Sequence, residues 1–483
     1  DKTMNKLKAA FGENYTEALQ DILYRMETGL SNPERGLTPE LNGLLNWFRG
    51  SVGVTMFLNM RSAALQTISF ANYINWSDNN MYKASAAFAN QKQFWNDFVN
   101  IFNSDYLKER RGGLKTDVNA ADIADALQKS EGMYNGYKAV VAKLLQFGFS
   151  LTQIGDSVAI SFGGAMFYRN RLNTYLEQGF DQKQAEEKAF LDFQEISEES
   201  QQSARPDKLS LQQTSELGRI FLAFQNTPMQ YARLVNKAAK DLVNGRGDRR
   251  AHISKIAYYA FAQAIIFASF QQAFNIFRLF DDEELTEDEE RKLTNVANNV
   301  IDSFVRGLGL KGNFYTSIKN AVATFYEQEQ KQAEGRGRAD HTYTLIDILN
   351  ASPPIGIKAR KAYGGIQTYK YNKDVIEELG LNIENPIYDV AGSVSSVVFN
   401  VPLDRAVDKL RNLKSATDDE LELWKRILFF LGWNRWNLEV EPKDLQEAKK
   451  KVKQQKKSAK RTKGPKSGST KDVMEYLESL NKK

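Results

Sequence analysis

Apolar residues recur every three or four positions along much of the chain, a spacing that puts them on one side of an α-helix. The first 28 residues show this spacing, with apolar side chains at Leu7, Phe11, Tyr15, Leu19, Ile22 and Met26. Helix formers dominate the composition, and the chain has only ten prolines. We predict a mainly α fold: an elongated multi-helix bundle with a less regular C-terminal region and a basic tail.

Two long runs stand out because they are almost free of charge. Between Lys143 and Arg169 the only charged residue is Asp156, and residues 256–277 contain no charge. Each run is either a buried helix, in a core or an oligomer interface, or a membrane-active segment. An isolated charge is costly in lipid, so Asp156 favours the core for the first run. The second run supplies the candidate membrane or interface residues, which are Phe261, Ile265, Ile266, Phe270, Phe274 and Phe277.

The stretch between residues 218 and 240 predicts a sharp turn between two elements. Its apolar first part, a strand or a helix, leads into Gln225, Asn226, Thr227 and Pro228 and continues as an amphipathic helix. A threonine side chain can accept from an unpaired amide at a helix start, and proline suits the first helical position. We therefore predict that a helix begins at Thr227 and Pro228.

Changes in composition divide the chain into regions. Proline and glycine punctuate short elements after residue 335, where the run Ser395–Val401 is strand-like. We predict an N-terminal helical region at 1–130, a central helical region with both long apolar helices at 131–280, a charged helical segment at 281–334, a mixed region punctuated by Pro and Gly at 335–442, and a Lys-rich tail at 443–483.

Positive charge is concentrated in that tail. The net charge of the chain is +5, and removing the ten cations of the tail cluster, among which no acid lies, leaves −5. Such a cluster would bind DNA or RNA phosphates without sequence preference and with strong salt dependence. A solubilising tail and an anionic membrane surface remain as alternatives. The candidate nucleic-acid-binding residues are Lys449, Lys450, Lys451, Lys453, Lys456, Lys457, Lys460, Arg461, Lys463 and Lys466.

Residues that carry chemistry are scarce. The chain has no cysteine, and its two histidines, His252 and His341, are far apart in the sequence. The lack of cysteine excludes disulfides and thiolate metal sites, and the sparse histidines make Ser-His catalysis improbable. The sequence also has no glycine-rich phosphate loop or dinucleotide fingerprint. We expect no catalytic, cofactor-binding or metal-binding residue, and we interpret this segment as a non-enzyme.

Two stretches resemble a known family. The sequences GVTMFLNMRSAALQTIS at 53–69 and FQNTPMQYAR at 224–233 are similar to the signature of a helical domain in very large phage polyvalent proteins, and especially to internal virion, or cargo, proteins of crAss-like bacteriophages. The similarity covers roughly residues 41–280. It includes no catalytic residue, so it implies no site.

The resemblance implies a protein packaged inside the portal and tail of a virion and ejected into the host cell with the genome. Its implied partners are the portal and tail proteins, packaged double-stranded DNA and copies of itself in a symmetric assembly. One alternative is a static structural component of the portal or tail. Another is a membrane-active part of a DNA-translocation conduit that meets the host membrane during ejection. The start at Asp1 fits a cleaved portion of a longer polypeptide.

Overall fold

The computed structural model describes residues 2–28, 39–74, 79–112, 136–201, 210–271 and 287–462, together with Met474 and Glu478. Throughout these residues the chain forms helices joined by turns, and none of them lies in a strand. The prediction of a mainly α, multi-helix protein is confirmed. The chain divides into two units. The first comprises residues 1–360 with 400–402, and the second comprises 361–399 with 403–483.

The first unit begins with helices of very different lengths. In chain order they are α1 Lys2–Phe11, α2 Glu13–Thr28, α3 Pro39–Met56, α4 Met60–Thr67, the 3-10 helix Ile68–Tyr73, α5 Met81–Ala89, α6 Gln91–Phe102, α7 Asp105–Gly112, α8 Gly136–Glu177 and α9 Gln182–Ser200.

The remaining helices of this unit follow residue 210. They are α10 Leu211–Thr214, α11 Glu216–Phe221, α12 Asn226–Val243, α13 Arg249–Ala257, the π-helical turn Tyr258–Ala262, α14 Gln263–Gln271, α15 Glu287–Arg306, α16 Leu310–Ala333, α17 Thr342–Leu349 and α18 Pro353–Leu379, which belongs to the second unit from Lys361 onward.

Helix α8 organises the core of the first unit, because helices α3 to α7 and α9 all contact it. From Thr152 onward, where burial of the run is described, this confirms the core interpretation of the first apolar run. Two glycines of α8 allow close approach. A Cβ on Gly163 would lie 2.5 Å from the carbonyl oxygen of Phe70, and one on Gly164 would meet the ring of Phe193. The largest fully buried side chains of this cluster are Tyr73, Phe94, Leu107, Ile160 and Phe193.

The turn predicted between residues 218 and 240 is present and joins α11 to α12. Phe224 has a positive φ of 64°, and α12 begins at Asn226 after the N-cap residue Gln225, whose side chain makes no capping bond. The predicted start at Thr227 and Pro228 is therefore wrong by one or two residues. Pro228 is the third helical residue, and it is tolerated there because the first backbone N–H groups of a helix have no intrahelical acceptor.

The second unit is also helical, and its helices after α18 are α19 Ile387–Val394, the π-helical turn Ser395–Phe399, α20 Leu403–Ala416, α21 Leu423–Phe430, α22 Arg435–Leu438 and α23 Lys443–Thr462. The strand-like interpretation of Ser395–Val401 is wrong, because Ser395–Phe399 continues α19 in helical form and neither Asn400 nor Val401 lies in a strand. Ser396 donates a hydrogen bond to Asp404 over 2.6 Å, which holds this turn against the start of α20.

A buried carboxylate joins three elements of the second unit. The side chain of Glu384 is 1% exposed and accepts two hydrogen bonds from the guanidinium of Arg435, one of them 3.0 Å long. The Lys414 ammonium lies 3.5 Å from the same carboxylate. The Arg411 guanidinium lies 3.9 Å away, so three cations compensate a charge that would be costly to bury alone.

Candidate nucleic-acid interface

Helix α23 contains the first part of the predicted basic tail, and one of its sides is buried. Ala448 and Val452 lie four residues apart and pack against Val375 of α18. In the first turn Asp444 accepts hydrogen bonds from Lys414 over 2.7 Å and from Asn382 over 3.1 Å. The Lys414 hydrogen bond lowers the pKa of Asp444 below its ordinary value. The helix is therefore fixed to the second unit by apolar and charged contacts.

Three lysines flank this buried side and form ion pairs within the unit. The Lys449 ammonium lies 2.5 Å from a carboxylate oxygen of Glu441, and the Lys451 ammonium lies 3.3 Å from one of Glu378. Lys456 pairs with Asp374. We call these three lysines the seam lysines. Their charges are largely balanced by acids of the protein itself.

The opposite side of α23 carries lysines of a different kind. Lys450, Lys453 and Lys457 are exposed, and their spacing of three and seven residues places them in one row. Among the described residues no acid is within ion-pair distance of any of the three. The row is about 10 Å long at 1.5 Å per residue. We call these three residues the outer lysines, and they present uncompensated positive charge to solvent.

The other predicted tail residues extend beyond this row. Lys460 and Arg461 belong to α23, whereas Lys463 and Lys466 lie outside the described residues. The sequence identified the cluster but did not divide it into seam and outer lysines. A signal for that division was present, because the apolar pair Ala448 and Val452 marks the buried side of an otherwise polar helix.

The six candidate membrane or interface residues are not brought together into one described surface. Phe261 is exposed in the π-helical turn, Ile265 and Ile266 are half-buried in α14, and Phe270 also belongs to α14. Phe274 and Phe277 lie outside the described residues. Within the described parts of the chain, no helix has the length and hydropathy needed to cross a bilayer.

Comparisons with known proteins gave no match: no family model fits the chain, and neither a similar curated protein nor a similar solved structure was found.

Proposed function

We propose that this chain is an internal virion protein of a bacteriophage, packaged in the portal and tail interior and ejected into the host cell with the genome. In this role the outer lysines contact packaged double-stranded DNA. The observation that carries the DNA contact is the row Lys450, Lys453 and Lys457, which no described acid compensates. The ejection role is supported by the resemblance of residues 53–69 and 224–233 to crAss-like cargo proteins.

The proposed contact is electrostatic and reads no base sequence. Each ammonium that neutralises a phosphate releases condensed counterions, so binding weakens as salt rises. Lysine suits this task because its ammonium is a point charge on a flexible stem and requires no fixed geometry of the phosphate. The helix positions the charges, and the protein performs no chemical step.

DNA binding is tested with two triple variants that change the net charge equally. K450A/K453A/K457A removes the outer lysines, and K449A/K451A/K456A removes the seam lysines. Binding to a random-sequence duplex is measured by fluorescence anisotropy over a range of salt concentrations. The salt slope is the steepness with which the logarithm of the binding constant falls as the logarithm of salt concentration rises. We expect the outer variant to reduce this slope by about 2.7, which is 0.9 for each of three lost phosphate contacts. The seam variant should retain most of the salt slope of the wild-type protein.

Equal losses in the two variants would mean that only net charge matters, and no loss in either would remove α23 as the DNA contact. Circular dichroism checks that both variants stay folded, since the seam variant also breaks three ion pairs.

The ejection role is tested separately, by quantitative mass spectrometry of particles before and after triggered genome release. Abundant peptides in full particles and their depletion from emptied ones are the expected result. Peptides that remain in emptied particles would identify a static portal or tail component instead. Their absence from both would exclude the virion role.

A further inference from the structure

A cavity of about 550 Å³ lies within the first unit, between α12, α14, α15 and the start of α18. Cavities of 300–1,000 Å³ are typical of small-molecule sites. Apolar side chains, including Val235, Ala264 and Ile357, line part of the wall. The tyrosine rings of Tyr231 and Tyr259 line another part, with ring centroids 5.0 Å apart. The cavity therefore offers apolar and aromatic surface to the body of a ligand.

One cation that lines the cavity is left without a polar partner by the described residues. Arg306 at the end of α15 is half-buried, and its Nε has no hydrogen-bond partner among them. Within the described part of the chain its guanidinium forms no hydrogen bond or ion pair. Burial lowers the pKa of Arg306 below its ordinary value, an effect that the charge of Asp302 partly opposes. A guanidinium desolvated in this way is suited to binding an oxyanion through two parallel N–H donors.

The acids of the same wall are already occupied. Asp302 accepts from Asn320 over 2.9 Å, and the Lys319 ammonium lies 2.6 Å from its other oxygen. Asp347 accepts from Thr324 over 2.6 Å and from Asn350 over 3.1 Å, and the Arg360 guanidinium lies 3.6 Å from its carboxylate. These partners hold both carboxylates in place, so neither needs Arg306 as its counter-ion.

Two amide groups of the wall have unused acceptors. Gln225 and Gln263 are 2% and 3% exposed, and the Oε1 atom of each lacks a hydrogen-bond partner in the described part of the chain. The amide nitrogen of Gln263 is fixed, because it donates to the hydroxyl of Tyr231. Buried acceptors without donors are costly, and a ligand that brings N–H or O–H groups would satisfy them.

We propose that this cavity binds a small phosphate monoester whose body carries hydrogen-bond donors, the chemistry of a nucleoside monophosphate. Arg306 binds the phosphate, Gln225 and Gln263 accept from the body, and Tyr231 and Tyr259 contact its ring. This site is independent of the outer lysines, which belong to the second unit. Ligand binding at this cavity and DNA binding by α23 can therefore be tested independently.

Isothermal titration calorimetry with adenosine 5′-monophosphate, adenosine and inorganic phosphate tests the proposal. We expect the monophosphate to bind at least tenfold more tightly than either fragment, because the site recognises both the anion and the body. The variant R306Q should weaken monophosphate binding at least tenfold. R338Q is a matched control, since it removes the same charge from an exposed arginine outside the cavity.

If R306Q does not fold, two further variants can test the role of the cavity residues in its place. R306K retains the positive charge but loses the paired N–H donors, and Q225L removes one acceptor. Each should weaken binding while K450A/K453A/K457A leaves it unchanged. The proposal is overturned if the wild-type protein does not bind the monophosphate at millimolar concentration, if adenosine binds equally well, or if the cavity variants that fold bind like R338Q.

Discussion

Arg110 on α7 donates a hydrogen bond from Nε to a carboxylate oxygen of Asp156 on α8 over 2.8 Å. The same guanidinium lies 3.5 Å from Glu198 of α9, which accepts from the hydroxyl of Tyr106 over 2.7 Å. The Arg110 side chain is only 5% exposed. One buried cation thus compensates carboxylates from two other helices. Asp156, the only charged residue of the first apolar run, therefore forms its ion pair inside the protein.

We predict that R110M destabilises the first unit more than D156N or E198Q. R110M removes the buried cation that the carboxylates of Asp156 and Glu198 share, and breaking a buried ion pair by removing one partner costs about 3–5 kcal/mol. D156N and E198Q each leave the guanidinium with one acid, so their cost should be smaller. Urea unfolding followed by circular dichroism measures the order. If R110M were the mildest of the three, the guanidinium would not be the centre of this network.

A second prediction concerns the close approach of α8 to the 3-10 helix. A Cβ on Gly163 would lie 2.5 Å from the backbone oxygen of Phe70, which cannot rotate away. We expect G163A to lower the free energy of unfolding by about 1–3 kcal/mol through overpacking. G364A is the control, because a Cβ there meets nothing within 4 Å and the residue is exposed in α18. It should be neutral or raise stability by up to about 1 kcal/mol. Equal effects would exclude overpacking as the cause.

Local patterns predicted the class of fold well, because helical spacing of apolar residues depends only on neighbours along the chain. The isolated charge of Asp156 also correctly favoured a core helix over a membrane-active segment for the first apolar run. Local patterns could not identify Arg110 as the partner of Asp156, since the two residues are 46 positions apart. The strand-like run Ser395–Val401 failed for a related reason. Its β-branched residues favour a strand only when another strand is available, whereas here the contact of Ser396 with Asp404 stabilises a helical turn.

The candidate DNA interface was predictable only in part. A cluster of cations is visible in the sequence, but which lysines are compensated depends on acids such as Asp374 and Glu378, far away along the chain. The cavity beside Arg306 had no sequence signal at all. Its wall is assembled from four or more helices, and each residue in it has an ordinary local environment in the sequence.

A third prediction concerns Asn313 at the start of α16. Its amide nitrogen donates to the backbone oxygens of Phe221, over 2.6 Å, and of Ala351, over 2.5 Å, and the residue is 1% exposed. N313A would leave both carbonyl oxygens buried without a donor, at a cost of about 1–3 kcal/mol for each such group. N298A on the exposed side of α15 is the control. Thermal melting should show a clear decrease for N313A alone, and an unchanged melting temperature would contradict a structural role for this amide.

The last prediction concerns Lys409 on α20. Burial, assisted by the nearby charge of Arg405, lowers the pKa of Lys409 to about 8. Below that pH the folded protein must keep a poorly solvated ammonium charged, which reduces stability. Between pH 8 and the ordinary lysine pKa of about 10.4, the folded state releases this proton while the unfolded state keeps it, so the free energy of unfolding rises with pH.

We therefore expect K409M to stabilise the second unit at pH 7, by roughly 1–3 kcal/mol, since one pKa unit corresponds to 1.36 kcal/mol. The gain should shrink at pH 9.5, where wild-type Lys409 is mostly neutral in the folded state. K414M provides a contrast of opposite sign. The hydrogen bond to Asp444 raises the pKa of Lys414, so its contribution is present at pH 7 and is lost only as pH rises through that raised pKa. Urea unfolding of the three proteins at both pH values distinguishes these effects. A K409M gain that does not change with pH would mean that packing of the methionine, rather than removal of the buried charge, stabilises the variant.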